Sequence, residues 1–364
     1  MEKCVKQYYL GSMSQGGFKS DFYSEIAKDG VFTYILKGGA GTGKSSLMKK
    51  VAKEFEKTCD VTKYFCSSDP NSLDAVFVRE AGVMVVDGTS PHTFDPDFPA
   101  VKQVIVNLGD HWDNEKLKEN TDKIISVTKS HRKLMSRAKS YVSAMTKLFD
   151  DTYYSVSDDV LTEKLALAVQ RLSQKIMPKK QLNQGSVSLS LVGAVTPMGY
   201  KLQSETLDSF DNIYSLEDDY FCASDAFLKS VAEQAAKKGF DVVVSRCNLF
   251  SESVYEAVMI PKLKTAFVAS TPLNLYYSEK AVKVNMQRFY DKDSLGLKKK
   301  RLKMNKSACA KLLEEATQTL ASAKSVHDEI EKYYISAMDF SGVDSYSEKI
   351  ISDIGKKLSV KNPD

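Results

Sequence analysis

The stretch that most constrains this chain is Gly38-Gly39-Ala40-Gly41-Thr42-Gly43-Lys44-Ser45, set between the apolar run Val31-Phe32-Thr33-Tyr34-Ile35-Leu36 and the helix-forming run Ser46-Leu47-Met48-Lys49-Lys50-Val51-Ala52. It fits G-x-x-x-x-G-K-[ST] between a strand and a helix, the context in which that pattern makes a phosphate-binding loop. Glycines let the backbone curl with positive φ, so that successive N–H groups and the positive end of the next helix converge on one anion. The loop predicts contacts to a nucleoside triphosphate from Gly38, Gly39, Ala40, Gly41, Thr42, Gly43, Lys44, Ser45 and Ser46. Lys44 then reaches the β- and γ-phosphates and the Ser45 hydroxyl ligates Mg²⁺.

At 364 residues the chain exceeds one ordinary core and predicts about two domains. No apolar run approaches a membrane span, and Met1-Glu2-Lys3-Cys4 opens without the apolar stretch of a secretory signal, so a cytoplasmic protein is expected. Cys4, Cys59, Cys66, Cys222, Cys247 and Cys309 form no C-x-x-C pair, which argues against zinc and a disulfide scaffold. Cys66 and Cys247 each end a β-like run and read as buried small apolar residues. The net charge of +4 is spread along a highly charged chain and gives no argument for a nucleic-acid partner.

The two halves read as copies at an offset of roughly 180 residues, the period of a duplicated domain. Gly11, Ser14, Gly17 and Phe18 match Gly193, Thr196, Gly199 and Tyr200; Tyr34 and Leu36 match Tyr214 and Leu216. The runs starting at Leu47, Val61 and Val83 match those starting at Phe227, Val242 and Lys264, and Thr89-Ser90-Pro91 matches Ser270-Thr271-Pro272. The phosphate loop does not survive: Gly38, Gly43, Lys44 and Ser45 fall on Asp218, Ala223, Ser224 and Asp225. Glu217, Asp218, Asp219 and Asp225 would together repel a polyphosphate.

Each half continues into a helical region. Helical spacing runs from Asn114 to Phe149, breaks at Asp150-Asp151-Thr152-Tyr153-Tyr154, and resumes from Asp158 to Ile176. In the second half Leu297 to Ala337 and Ser345 to Leu358 do the same, with Tyr333-Tyr334 matching Tyr153-Tyr154. These predict two helical hairpins, closed by packing of the tyrosine pairs.

Gly82-Val83-Met84-Val85-Val86-Asp87 is an apolar strand ending in aspartate, which behind a phosphate loop reads as the carboxylate that holds Mg²⁺ beside Ser45. Its counterpart is read as Val268, so both parts of the metal site vanish together in the copy. Gly88 follows Asp87, with no adjacent glutamate to activate water, and neither an N-K-x-D motif nor an ABC-type signature is present. His92 reads as a loop histidine satisfied by its neighbours, with phosphate or substrate contact as the alternative. Asp69 follows a strand on the ligand edge of such a sheet, where orientation of water or a second substrate competes with ordinary Asp-Pro turn chemistry. Arg79, Arg132 and Arg137 are candidate transition-state cations, the last two reading better as solvated helix residues. The run Lys298-Lys299-Lys300-Arg301-Leu302-Lys303, without interleaved aromatics, reads as a solvated helix face.

The segments Leu36–Lys50, Cys66–Asp74 and Val86–His92, with Val195–Tyr200 opening the second half, resemble a family of tandem P-loop ATPase-like proteins of Gram-positive bacteria, within the P-loop nucleoside triphosphate hydrolase superfamily. The resemblance spans essentially the whole chain and implies ATP binding. In that family both halves can carry a phosphate loop, a pattern from which the second half here departs.

The fold expected is α/β: two homologous P-loop-type three-layer domains, each a mostly parallel sheet with a long helical hairpin, the second degenerate. Their bounds are 1–177 and 186–364, with 178–185 as linker. The function expected is a slow or regulated Mg²⁺-dependent ATPase using Lys44 and Asp87, with a small-molecule or nucleotide kinase and a nucleotide-gated interaction protein, binding a protein partner through the hairpins, as alternatives. Lys44→Ala should abolish ATP binding in a calorimetric titration while Ser224→Ala leaves it intact; equal losses would contradict so asymmetric a pair.

Overall fold

The computed structural model describes residues 4–20, 23–91, 93–177 and 183–361. The first half of the sequence forms β1 (Val5–Tyr9), β2 (Gly11–Ser14), β3 (Gly17–Ser20), α1 (Tyr23–Ile26), β4 (Phe32–Lys37), α2 (Lys44–Phe55), β5 (Val61–Phe65), β6 (Leu73–Val78), β7 (Val83–Asp87), β8 (Gln103–Asn107), α3 (Asn114–Lys118), α4 (Thr121–Ser157) and α5 (Thr162–Ile176). The second half forms β9 (Val187–Leu189), β10 (Gly193–Thr196), β11 (Gly199–Leu202), α6 (Ser204–Asp208), β12 (Asn212–Glu217), α7 (Cys222–Lys237), β13 (Val242–Arg246), β14 (Tyr255–Ile260), β15 (Thr265–Ser270), β16 (Ala281–Asn285), α8 (Lys292–Ser336) and α9 (Phe340–Lys361).

Two six-stranded sheets share one plan. The first has the order β1-β5-β6-β7-β4-β8 and the second, read from the opposite end, β9-β13-β14-β15-β12-β16. β6 and β14 run antiparallel to both neighbours and every other pairing is parallel. The sheets are therefore mixed where a mostly parallel arrangement was expected, because the short connections around β6 and β14 allow hairpin pairing and leave no room for a crossover helix. The matching hairpins also agree in detail: Ser14 Oγ donates to Gly17 O at 2.8 Å and Thr196 Oγ1 donates to Gly199 O at 2.8 Å. Register corrects one pairing. Leu36 lies beside Asp87 and its counterpart Leu216 beside Ala269, so Ala269, not Val268, stands where Asp87 does.

The chain divides into two compact units whose limits differ from the sequence halves. The first unit draws on Met1–Gly11, Ser20–Arg137 and Gln318–Asp364, the second on Ser12–Lys19 and Ala138–Thr317. Long helices carry the exchange: α4 begins in the first unit and ends in the second, and α8 does the reverse. In the first unit α9 buries Val343, Ile350 and Ile354 against Leu47, Met48 and Val51 of α2, a stripe set by helical spacing. Burial of those three α9 side chains contributes on the order of 5 kcal/mol. In the second unit Leu165 and Val169 of α5 pack with Phe227, Leu228 and Val231 of α7.

The break expected at Asp150–Tyr154 is absent, and α4 continues through Ser157. The segment holds neither Gly nor Pro, and its polar groups find partners in the second unit: Asp151 pairs with Arg301, and Tyr153 Oη donates to Asp225 at 2.6 Å. Tyr153 and Tyr154 thus lie inside a helix and do not close a hairpin. α5 starts at Thr162, later than the Asp158 read from the sequence, and α9 runs from Phe340 to Lys361, longer at both ends. Of the linker 178–185, residues 178–182 lie outside the described residues; Gly185 N donates to Ala236 O at 2.9 Å. All six cysteines are free thiols, Cys247 buried and Cys66 half-buried.

Glu256 is wholly buried on β14, where its carboxylate accepts from Ser245 Oγ at 2.9 Å and Tyr200 Oη at 2.5 Å. Burial outweighs those hydrogen bonds and pushes its acid up to about 7 from 4.5. An acid whose pKa is raised on folding stabilises the folded state below the unfolded value and loses that contribution as pH rises through the folded one. Stability should therefore fall between pH 4.5 and 7, by up to roughly 3 kcal/mol. Glu256→Gln should flatten this part of the profile in denaturant titrations; an unchanged slope would refute the assignment.

Candidate functional site

β4 and β7 are parallel neighbours, so the loop after β4 and the carboxylate ending β7 share one sheet edge. Gly41 and Gly43 take φ of +70° and +87°, and Gly43 in the left-handed region turns the chain directly into α2. Thr42 is buried and braces the loop by donating to Gly39 O at 2.9 Å. Lys44 Nζ folds back over the loop, donating to Gly38 O at 2.9 Å and Gly39 O at 2.7 Å, 3.7 Å from Asp87 Oδ2. The other Asp87 oxygen accepts from Thr89 N at 2.8 Å and Thr89 Oγ1 at 2.6 Å, which fixes the carboxylate. Ser45 Oγ, in the first turn of α2, accepts from Leu73 N at 3.0 Å. Ala40 is half-buried in the loop and Ser46 is exposed.

The loop is roofed by helices that sequence reasoning assigned to the other half. A Cβ at Gly41 would lie 2.9 Å from both Glu331 O and Ile335 Cγ1, and one at Gly39 3.3 Å from the Tyr334 ring and 3.4 Å from Trp112. At Gly43 the neighbours are Val343 at 3.3 Å and Phe340 at 3.6 Å. The Trp112 and Tyr334 rings meet at 5.6 Å, and the two segments are tied by Asp113 N to Ala337 O at 2.8 Å and Asp339 N to His111 O at 3.0 Å. A cavity of about 420 Å³ lies here, lined by Asp110–Asp113 and Ser336–Asp339.

Further along α8, Lys324 Nζ donates to Asp328 at 2.9 Å and lies 3.7 Å from Asp69, which follows β5 on the same edge. Burial alone would lower the Lys324 pKa, but the bond to Asp328 and the charge of Asp69 hold it above its ordinary value. Glu331 is held below the usual carboxylate range by the neighbouring His327, 3.6 Å away. Burial, then the neighbouring His327, lowers the His131 pKa.

Asp69 also makes its own turn, accepting from Ser72 Oγ at 2.7 Å. Arg79 donates to Thr62 Oγ1 at 2.9 Å and stacks on Phe77, a packing role away from the loop. Arg132 and Arg137 are exposed on α4, and His92 lies outside the described residues. Lys298 and Arg301 of the basic run are engaged with Asp159 and Asp151. The sequence missed Trp112, Lys324 and Glu331; Trp112, the chain's single tryptophan, was the one available signal.

The loop after β12 differs in what fills it. Asp218, 2% exposed, accepts from Tyr220 N at 3.0 Å, Ser224 N at 2.8 Å and Tyr290 Oη at 3.0 Å, while Tyr290 Oη accepts from Ala223 N at 2.8 Å. Asp225 is buried against Lys229, Tyr153 and Tyr255 N; Glu217 and Asp219 pair with Lys283 and Lys306. The four carboxylates are thus individually partnered.

Among the described residues, no group of three or more His, Cys, Asp or Glu side chains is arranged to hold a metal ion, and no helix is long and apolar enough to cross a membrane. Comparison with known proteins gave no match among family models, curated proteins or solved structures.

The contact between α8 and the loop is measurable. Gly30→Ala, at φ +77° with nothing within 4 Å of the added carbon, should cost only about 1 kcal/mol of backbone strain. Gly41→Ala adds the collision with Glu331 O and Ile335 and should cost roughly 2–4 kcal/mol in urea unfolding. Equal costs would mean that the helix end does not press on the loop.

Proposed function

We propose that this chain binds ATP with Mg²⁺ at the loop Gly38–Ser45 and hydrolyses it slowly, the second loop being inactive. The observation that carries the reading is the convergence of a glycine loop, its lysine and a strand-end aspartate at one sheet edge, with Lys44 Nζ 3.7 Å from Asp87. The residues fit the nucleotide on a point internal to this molecule: the equivalent strand–loop–helix of the second unit gathers two backbone N–H groups and a hydroxyl around a carboxylate. Gly38 replaces that carboxylate in the first loop, so an anion held there must come from a ligand.

On binding, Lys44 exchanges the carbonyls of Gly38 and Gly39 for phosphate oxygens and offsets charge that develops on them. Loop N–H groups at the start of α2 hold the same oxygens. Ser45 and Asp87 would hold Mg²⁺, which neutralises phosphate charge when bound. Asp87 is pre-oriented by Thr89, so no rearrangement of its carboxylate is required. Water then attacks the γ-phosphorus and the bond to the β,γ-bridging oxygen breaks, giving ADP and phosphate.

A second reading, a nucleotide-gated interaction protein, has its own support in the residues of α8 and α9 against Gly39, Gly41 and Gly43. A change in loop shape would press directly on those helices. The deciding experiment is a single-turnover assay with γ-labelled ATP and Mg²⁺ on the wild type and Lys44→Ala, with and without a small-metabolite extract. Free phosphate that depends on Lys44 is the expected result. Label in an extract component would make the chain a kinase, and tight binding without turnover would favour the gated protein.

A further inference from the structure

We propose that the cavity at the end of β8 takes the purine base of the nucleotide, with Trp112 as the ring on which it stacks. The inference rests on the phosphate-loop reading and names the part of the ligand that the loop leaves unheld. β4 has β7 on one side and β8 on the other. Asp87, the carboxylate read as holding Mg²⁺, ends β7, so a triphosphate over the loop with its metal on that side extends its nucleoside toward β8. There the chain leaves Asn107, turns through Leu108–His111 and brings Trp112 within 3.4 Å of where a Cβ on Gly39 would stand. The cavity of about 420 Å³ opens beside that contact, within the range of roughly 300–1,000 Å³ that small ligands occupy. None of its lining residues is Lys or Arg, and three are aspartates. Their charge repels a second phosphate and suits a neutral ring whose amino group and sugar hydroxyls donate.

The walls of the cavity are braced. Trp112 forms an antiparallel bridge with Met338, flanked by the backbone bonds of Asp113 to Ala337 and of Asp339 to His111. The His111 ring sits on Gly342 of α9, where a Cβ would lie 2.2 Å from it, and meets Tyr346 edge-on at 5.5 Å. Trp112 Nε1 and His111 Nε2 are buried with no hydrogen-bond partner, a rare condition in a folded chain. The second unit repeats this frame with a different use of its aromatic residue. Tyr290 follows β16 as Trp112 follows β8, it bridges Val160 as Trp112 bridges Met338, and Asp291 N donates to Asp159 O as Asp113 N does to Ala337 O. Yet Tyr290 is 2% exposed, and its hydroxyl is engaged by Ala223 N and Asp218 within its own loop. Trp112 makes no such bond and stays half-buried at the cavity.

The test compares ATP with inorganic tripolyphosphate, which has the phosphates and no base, by calorimetry on the wild type, Lys44→Ala, Trp112→Leu and Trp112→Phe. The wild type should bind ATP more tightly than tripolyphosphate by about tenfold or more, the scale of one base stacked on an aromatic ring. Trp112→Leu should remove that margin and leave tripolyphosphate binding unchanged, whereas Trp112→Phe should keep most of it. A wild type without the margin, or a margin that survives in Trp112→Leu, overturns the inference while Lys44-dependent binding upholds the loop. Binding of neither compound, or binding that does not depend on Lys44, overturns both. Should Trp112→Leu not fold, the emission of the single tryptophan in the wild type decides. Quenching by ATP and not by tripolyphosphate supports the stack, and equal emission with the two compounds overturns it.

Discussion

A helix that starts directly after a strand presents N–H groups with no acceptor inside the helix, and everything distinctive in this molecule gathers where two such helices begin. At α7 the shortage is met by Asp218 and Tyr290. At α2 the position of Asp218 carries Gly38, and the nearby ammonium of Lys44 is parked on loop carbonyls. The loop after β12 thus carries a carboxylate where the loop after β4 has Gly38, and it also lacks the counterparts of Gly43, Lys44 and Ser45.

The second organising feature is the exchange of helices between sequence halves. α9 completes the core over α2, and α5 does the same over α7. The residues above each loop, Glu331, Tyr334 and Ile335 in one case and Phe149 and Tyr153 in the other, come from the opposite half of the sequence. A helix end against a glycine loop is a direct mechanical link, because the glycines leave no side chain between them. The same placement brings Lys324 and Glu331 to the sheet edge that carries Asp69.

Much of this was legible in the sequence where the signal is local. The loop and the strand ending at Asp87 lie within short windows, and the repeat was readable because strand, helix and hairpin residues recur in order. What stayed hidden depends on partners distant in sequence. Helical spacing tells which face of α8 is apolar but not which loop it meets, so Glu331 and Tyr334 gave no sign of their place. Counting charges could not show that Asp218 is buried and accepts hydrogen bonds from Tyr220, Ser224 and Tyr290. The break read at Asp150–Tyr154 failed because Asp151 and Tyr153 have tertiary partners that reward a continuous helix.

The exchange also bears on how such a chain is made. Synthesis runs from the N-terminus, and domains ordinarily fold as they emerge. Here the glycine loop is synthesised well before Gln318–Asp364, the segment that completes its unit. Until those residues arrive, the apolar face of α2 that meets Val343, Ile350 and Ile354 has no cover. The two halves of the sequence are therefore not separable modules: cutting between them would leave each unit without helices that complete its own core.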